Sequence, residues 1–358
     1  VGLYTSIAIG NDGYPVVSYN DFTNGYLKVL KCGNAACSSG NTITTIDSGI
    51  SMGLYTSIAI GSDGYPVISY NDSNNADLKV AKCGNAACSS GNTLTTIDST
   101  GNVGRWTSIA VASDGYPVIS YLDFTNADLK IAKCGNAACS SGNTLTTVDS
   151  SGLVGQYTSL VLGSDGYPVV SYHYASSDDV KVLKCGNAAC SSGNTRTTID
   201  STGTVGLYTS IAVGGDGLPI VSYLDNTSGT KLKILKCANT SCTSTSSGTT
   251  VDSSTATTQF TSIKCGNDNY PVVSYLDGNT LNVAHIAESA FLCADTTAPS
   301  VSTLSPTDNA TGVSTTANLV ITFSETTRAG TGTLTIKKTS DNSTVETITV
   351  SGALLSGN

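Results

Sequence analysis

The sequence predicts an all-β chain whose main part is a six-bladed β-propeller of four-stranded antiparallel blades. Three observations predict it. One unit, LYTSIAIGNDGYPVVSYNDFTNGYLKVLKCGNAACSSGNTITTIDS in its first copy, returns six times, with anchors at Tyr4, Tyr55, Trp106, Tyr157, Tyr208 and Phe260 spaced by 51, 51, 51, 51 and 52 residues. A fixed period of this size marks a solenoid, a propeller or an array. Each unit also holds four short β-branched runs separated by turn residues. No segment carries a convincing 3.6-residue apolar period, so helix is nearly absent.

Within the first unit, Thr5–Ile9 is the first strand and Asn11-Asp12-Gly13 the tight turn after it. Pro15–Tyr19 is the second strand, with Pro at its first position, where no ladder donor is lost. Leu27–Lys31 alternates apolar and charged residues as a third, and Thr42–Ile46 is a Thr- and Ile-rich fourth. Cys32–Asn41 forms a loop between them, and its decapeptide GNAACSSGNT recurs letter for letter at Gly33, Gly84, Gly135 and Gly186. A unit with one unpaired apolar face is unstable alone, which favours a ring over an open solenoid or a string of small domains. The propeller is expected over residues 1–294, with repeats starting near 1, 52, 103, 154, 205 and 257.

The chain has 358 residues, 12% charged, and a net charge of −9, which argues against nucleic acid and an anionic membrane surface as partners. No apolar run reaches the length of a membrane span. The chain starts at Val1 without an initiating Met, as expected of a processed or partial chain.

Ten of the twelve cysteines form Cys-x4-Cys pairs: Cys32/Cys37, Cys83/Cys88, Cys134/Cys139, Cys185/Cys190 and Cys237/Cys242. Repeated even spacing points to disulfides and an oxidising compartment, hence to a secreted or cell-surface protein. Each closed loop contributes roughly 2 kcal/mol in the chain-entropy model. Zinc is the rival reading, but the pairs lie in different repeats and only His173 and His285 could complete a site. No metal or cofactor is expected.

The remaining two cysteines are Cys265, at the far end of the innermost strand of repeat six, and Cys293. Were Ala290–Cys293 a regular fourth strand, three spacings of about 4.8 Å would hold the two apart by about 14 Å. A disulfide needs Cα atoms within about 7 Å. Strands one and three end on the same face, so a chain turning inward after strand three could reach Cys265. A Cys265–Cys293 disulfide is therefore expected, with the fourth strand of blade six absent or supplied by residues upstream of Val1.

The block G-x-D-G-Y-P-V-[VI]-S-Y-x-D, as in Gly10–Asp21 and Gly61–Asp72, resembles repeats of bacterial sialidase-like (BNR-like) propellers over about residues 1–290. The resemblance is one of blade pattern, not of active site: Asp12-Gly13 precedes Tyr14-Pro15, unlike the sialidase Asp-box, and the arginine cluster and nucleophilic tyrosine have no counterpart. After an expected linker at 295–299, the tail APSVSTLSPTDNATGVSTTANLVITFSE (ending at Glu325) resembles an SbsA-type bacterial Ig-like domain, partial over 300–358. Leu319–Phe323, Leu334–Ile336 and Val345–Val350 are its expected strands, with an unpaired edge that is expected either from truncation or disorder of the domain or as a site completed by a strand from another subunit, and so open to self-assembly.

In a propeller with strand one nearest the axis, the loops after strands two and four share one face. That face collects Asp21, Asp72, Asp123, Asp225 and Asp277, with Tyr174 in the fourth repeat, and the six aromatic anchors near the opening. Carboxylates with aromatics can hold sugars, but an Asp that caps its loop and an aromatic that fills space between blades explain the same pattern. Function added to a repeated scaffold is sought at its departures: Arg105-Trp106 for Leu-Tyr, and His173-Tyr174 for Asn-Asp or Leu-Asp. The candidate ligand-binding set is thus Asp21, Asp72, Arg105, Trp106, Asp123, His173 and Tyr174.

No catalytic residues are assigned. Symmetric aspartates supply no differentiated acid and base, and no nucleophile elbow accompanies either histidine. Asp12 and its equivalents read as turn formers rather than calcium ligands. The rows Lys28/Lys31 through Lys233/Lys236 read as solvated strand positions whose stems cover apolar surface. The expected function is a non-enzymatic structural or adhesion module of an extracellular assembly, partnered by other extracellular subunits or surface glycans. A glycan-binding lectin is the second reading and a glycoside hydrolase the third.

Overall fold

A computed structural model describes residues 2–253 and 258–293 and, in the C-terminal part, 301–307, 310, 314, 320–323, 332–337 and 340–350. Blade one is a sheet of Gly2–Ile9, Pro15–Asp21, Tyr26–Lys31 and Thr42–Asp47, in sequential antiparallel order. Blades two to five repeat that order from Leu54 to Asp98, Val103 to Asp149, Val154 to Asp200 and Val205 to Asp252. Blade six has three strands among the described residues: Thr258–Cys265, Pro271–Asp277 and Thr280–His285. The first turn forms as its residues dictate. Asp12 Oδ1 accepts the Tyr14 N–H at 3.0 Å, and Gly13 takes a φ of +78°, where a side chain would be strained.

The core lies between blades. Leu129 and Ile131 of blade three pack with Leu160 and Tyr172 of blade four, and the same positions mate at the other interior interfaces. Burying such a side chain fully contributes about 1.5–3 kcal/mol. Polar contacts recur beside this core. A strand-two Ser bonds the strand-one Thr of the next blade, as in Ser120–Thr158 at 2.7 Å and Ser222–Thr261 at 2.8 Å. A strand-two Tyr donates its buried hydroxyl to the Asp that ends the preceding blade: Tyr70 to Asp47, Tyr121 to Asp98, Tyr172 to Asp149, Tyr223 to Asp200 and Tyr275 to Asp252.

The lysine rows correct the sequence reading, because they are not solvated. Lys79 and Lys130 reach back 2.7 and 2.5 Å to Asp47 and Asp98 of the preceding blade. Lys31, Lys82, Lys133 and Lys184 are buried and pair at 2.7–2.8 Å with the turn aspartates Asp12, Asp63, Asp114 and Asp165. For Asp47 and Asp98 burial pushes the carboxyl up, but the lysine, the tyrosine hydroxyl and a backbone N–H outweigh it and hold both below 3.8.

All five Cys-x4-Cys pairs are disulfides, each with Cα atoms 4.8–4.9 Å apart. The staple of each of blades two to five lies in the core it shares with the preceding blade. Blade six replaces the local staple. Ile286 takes the first cysteine's place, its N–H on Pro271 O at 2.9 Å as Cys32 N–H is on Pro15 O. The chain then turns inward through a short 3-10 turn, Ser289–Phe291. Phe291 and Cys293 enter the core between blades five and six, and Cys293 bonds Cys265 with Cα atoms 6.1 Å apart.

Residues 295–358 form a separate compact unit. Val301–Ser305 pairs antiparallel with Val320–Phe323, and Gly332–Lys337 with Thr344–Val350. The expected linker at 295–299, and Leu319, Asn309, Thr311–Val313 and Glu325 of the Ig-like pattern, lie outside the described residues.

Two outcomes are expected. Non-reducing peptide mapping recovers all six disulfides, Cys265–Cys293 among them; free thiols at these positions contradict the fold. Tyr121→Phe strips a hydrogen bond from buried Asp98 and lowers the thermal midpoint by a few degrees, about 2 kcal/mol. Tyr19→Phe, in blade one, leaves the midpoint unchanged, because Tyr19 has no such aspartate among the described residues.

Candidate functional site

The six aromatic anchors lie on the innermost strands, where each strand one slips register against strand two. All six are left-handed, with φ between 50 and 56° at Tyr4, Tyr55, Trp106, Tyr157, Tyr208 and Phe260. Such a backbone costs of order 1–3 kcal/mol at a non-glycine residue and persists only where the surroundings impose it. At three of them the next blade holds the carbonyl: Thr158, Thr209 and Thr261 hydroxyls donate to the carbonyls of Trp106, Tyr157 and Tyr208 at 2.8, 3.1 and 2.7 Å. The rings form a continuous tilted arc with successive centroids 4.5–5.2 Å apart. Burial pushes the Tyr55 and Tyr157 hydroxyls up to about 12, so both remain neutral donors.

The departures from the repeat lie beside this arc. The Arg105 guanidinium stacks 4.2 Å over the Phe124 ring. His173 is buried, its Nδ1 3.4 Å from Gln156 Oε1 and its Nε2 3.4 Å from Asp178 Oδ1 without hydrogen-bond geometry. Its ring centroid lies 6.2 Å from that of Tyr157. Tyr174 packs against the core between blades three and four: its hydroxyl donates to Ser151 O at 2.9 Å, and Lys181 Nζ sits 4.1 Å over its ring. Gln156 was not singled out in the sequence, although it stands where blades one, two and five have Leu; its signal was that departure read together with His173.

The aspartates share the face of the arc but turn into their own loops. Asp72 accepts the N–H groups of Asn74 and Asn75 at 3.1 Å and the Asn75 side chain at 2.9 Å. Asp123 takes the Asn126 N–H at 3.0 Å and its side chain at 2.9 Å. Asp21 pairs with Lys28 at 2.7 Å and with Asn24, contacts that hold its carboxyl down at about 2. The face can therefore offer aromatic surface, phenol donors and the Arg105 cation, while these carboxylates are engaged in shaping loops. Among the described residues, no three His, Cys, Asp or Glu side chains are grouped to hold a metal ion. Likewise no helix is long and apolar enough to cross a membrane.

Burial pushes the His173 imidazole below 6.5, against a smaller opposing pull from Asp178. The unfolded chain then binds the extra proton first, so His173 costs no such penalty above about pH 6.5 and destabilises the fold as pH falls below it. His173→Leu, the residue of blades three, five and six, is expected to shrink the loss of thermal midpoint between pH 7 and 5. An unchanged pH dependence contradicts the burial.

Residues 295–356 match the family model of a bacterial Ig-like domain. No curated protein matches the sequence. Solved structures similar to the chain include a protein of unknown function from Dyadobacter fermentans, at 11% identity and a TM-score of 0.55, covering 79% of this chain and 93% of that one. The NanB sialidase of Streptococcus pneumoniae aligns at 8% identity and 0.54, covering 79% and 67%. The intramolecular trans-sialidase of Ruminococcus gnavus aligns at 9% and 0.51, covering 82% and 95%. At such identities the likeness is one of fold. The chain is a six-bladed β-propeller similar in fold to those of sialidases, followed by a region that matches a bacterial Ig-like domain.

Proposed function

We propose that the chain is a non-enzymatic structural or adhesion module, secreted or held at the cell surface, and part of an extracellular assembly. The observation that carries this reading is how the polar groups of the shared face are used. Asp21, Asp72 and Asp123 bind their own loops, while Asp47 and Asp98 bind the next blade. Catalysis by carboxylates needs a raised acid and an ionised partner around one pocket, whereas these groups are spent on rigidity. Six disulfides in one compact unit support an oxidising compartment. The bacterial Ig-like match supports a surface setting.

A second reading, a lectin for surface glycans, is favoured by one observation. The arc of six aromatics is held in a left-handed backbone, and such strain clusters at binding sites. Full-length protein on a glycan array separates the two readings, and a panel of chromogenic glycosides tests for turnover, which the non-enzymatic reading expects to be nil. If a glycan binds, Trp106→Ala is expected to weaken it roughly tenfold, the 1.4 kcal/mol scale of one aromatic contact. Unchanged binding returns Trp106 to packing.

A further inference from the structure

Blades one and six each leave one face open, and those two faces are the two halves of the interface made five times inside the unit. Ile7 of blade one is 63% exposed, whereas Ile58, Ile109, Leu160, Ile211 and Ile263 at the same position are 1–6% exposed. Leu281 and Val283 of blade six are 72% and 65% exposed, whereas Leu27 and Val29 and their equivalents in blades two to five are fully buried. Cys37 is half-exposed, while Cys88, Cys139, Cys190 and Cys242 are buried.

The polar contacts of the interface are unmade at the same place. Ser274 and Thr5 stand where Ser120 and Thr158 bond, yet no bond joins them. Ile7 N–H lacks the strand-one serine hydroxyl that Ile58, Ile109, Leu160, Ile211 and Ile263 receive from the preceding blade. Among the described residues Tyr19 and Lys28 meet no aspartate from a preceding blade; Lys28 turns to Asp21 of its own blade instead, beside a hollow lined by Gly2, Thr5, Tyr19, Asp21 and Lys28.

We propose that this space takes one further copy of the 51-residue unit, joined ahead of Val1 as each copy is joined to the next. The occupant must present two different faces. Toward blade six it needs a strand-one Thr for Ser274 and an apolar residue over Leu281 and Val283. Toward blade one it needs a strand-two Ser for Thr5, strand-three apolar residues over Ile7, and a terminal Asp for Tyr19 and Lys28. The repeat unit carries both faces, and they are the faces already mated at five interfaces. A lone strand added to the free edge of Thr280–His285 could bring the Asp but would cover neither Ile7 nor Leu281. Direct closure is not what the structure adopts, although both inner strands, Gly2–Ile9 and Thr258–Cys265, are complete. The ring contacts run from Tyr4 through to Phe260, and among the described residues none joins Phe260 back to Tyr4.

The test adds chain to the intact protein. One form carries a second copy of residues 52–102 ahead of Val1, and another carries only residues 92–102, the strand-four segment. With the full copy, the thermal midpoint is expected to rise by several degrees, and the added unit to resist protease. Amide exchange should slow in residues 2–9 and 280–285, while the short extension leaves both segments fast. In the unextended protein, Thr5→Cys with Ser274→Cys is expected to stay reduced under conditions that oxidise the interior control, Ser18→Cys with Thr56→Cys. Cross-linking of the Thr5–Ser274 pair overturns the proposal in favour of direct closure. Full protection from the 92–102 extension overturns it in favour of a single completing strand. A digested full copy with no gain in midpoint overturns it outright.

Discussion

The structure depends on contact between blades, because no blade can satisfy itself. Each sheet has two apolar faces, and a four-stranded sheet alone would leave one or both in water. Stability in such arrays is a sum of weak units and strong nearest-neighbour interfaces. The terminal aspartate of each of the first five blades makes this dependence chemical as well as apolar. Asp98 is buried by blade three, which also supplies Tyr121 and Lys130 to satisfy it. Burying an unpaired carboxylate costs several kcal/mol, so an aspartate placed there penalises every docking of the neighbouring blade that covers it without bringing the tyrosine and the lysine. The cluster thus favours one register of blade against blade, which apolar contact alone would not choose.

The disulfides follow the same logic at the opposite face. A Cys-x4-Cys loop constrains few residues, so its chain-entropy contribution is modest. In blades two to five, however, the staple lies in the core shared with the preceding blade. Thr44, Thr95 and Thr146 on the outer strands donate to carbonyls of the next blade's loop at 3.0–3.1 Å. The staple therefore fixes a loop that clasps its neighbour. Blade six makes the same closure by other means, with Phe291 and the long-range Cys265–Cys293 bridge filling the position. Lys236 of blade five donates to Leu292 O at 2.5 Å, so this last clasp also ties one blade to the next.

Much of this was legible in the sequence, for a definite reason. Strands, turns and staples recur at a fixed period, and the geometry of four antiparallel strands was enough to place Cys265 near Cys293. The lysines were not legible. Alternation along Leu27–Lys31 says which side chains share a face but not what lies opposite that face, and Asp47 of one blade meets Lys79 of the next across 32 residues. The open faces of blades one and six were illegible for the same reason: Ile7 and Ile58 are identical in sequence pattern, and only a neighbour makes one core and the other surface. Of the candidate site, the departures Arg105, Trp106 and His173 were found as letters that break the repeat. Their environments, a stacked cation, a member of an aromatic arc and a buried imidazole, depend on residues brought from other strands.

Symmetry explains why the aspartates and the aromatics of one face have different standing. A residue repeated in nearly every blade answers a demand that every blade makes, and the loop aspartates answer one: backbone N–H groups at a tight loop need an acceptor. The aromatics answer a demand too, since they fill the space nearest the axis, yet filling it did not require a left-handed backbone at all six. At Trp106, Tyr157 and Tyr208 a threonine of the next blade holds the carbonyl of that strained residue, and the ring-to-ring contacts that make the arc exist only between assembled blades. Blade four then breaks the pattern at the same level, pairing His173 with Gln156 where blade five has Leu224 and Leu207. The buried imidazole beside Tyr157, its Nε2 without a hydrogen bond, costs stability that a leucine would not.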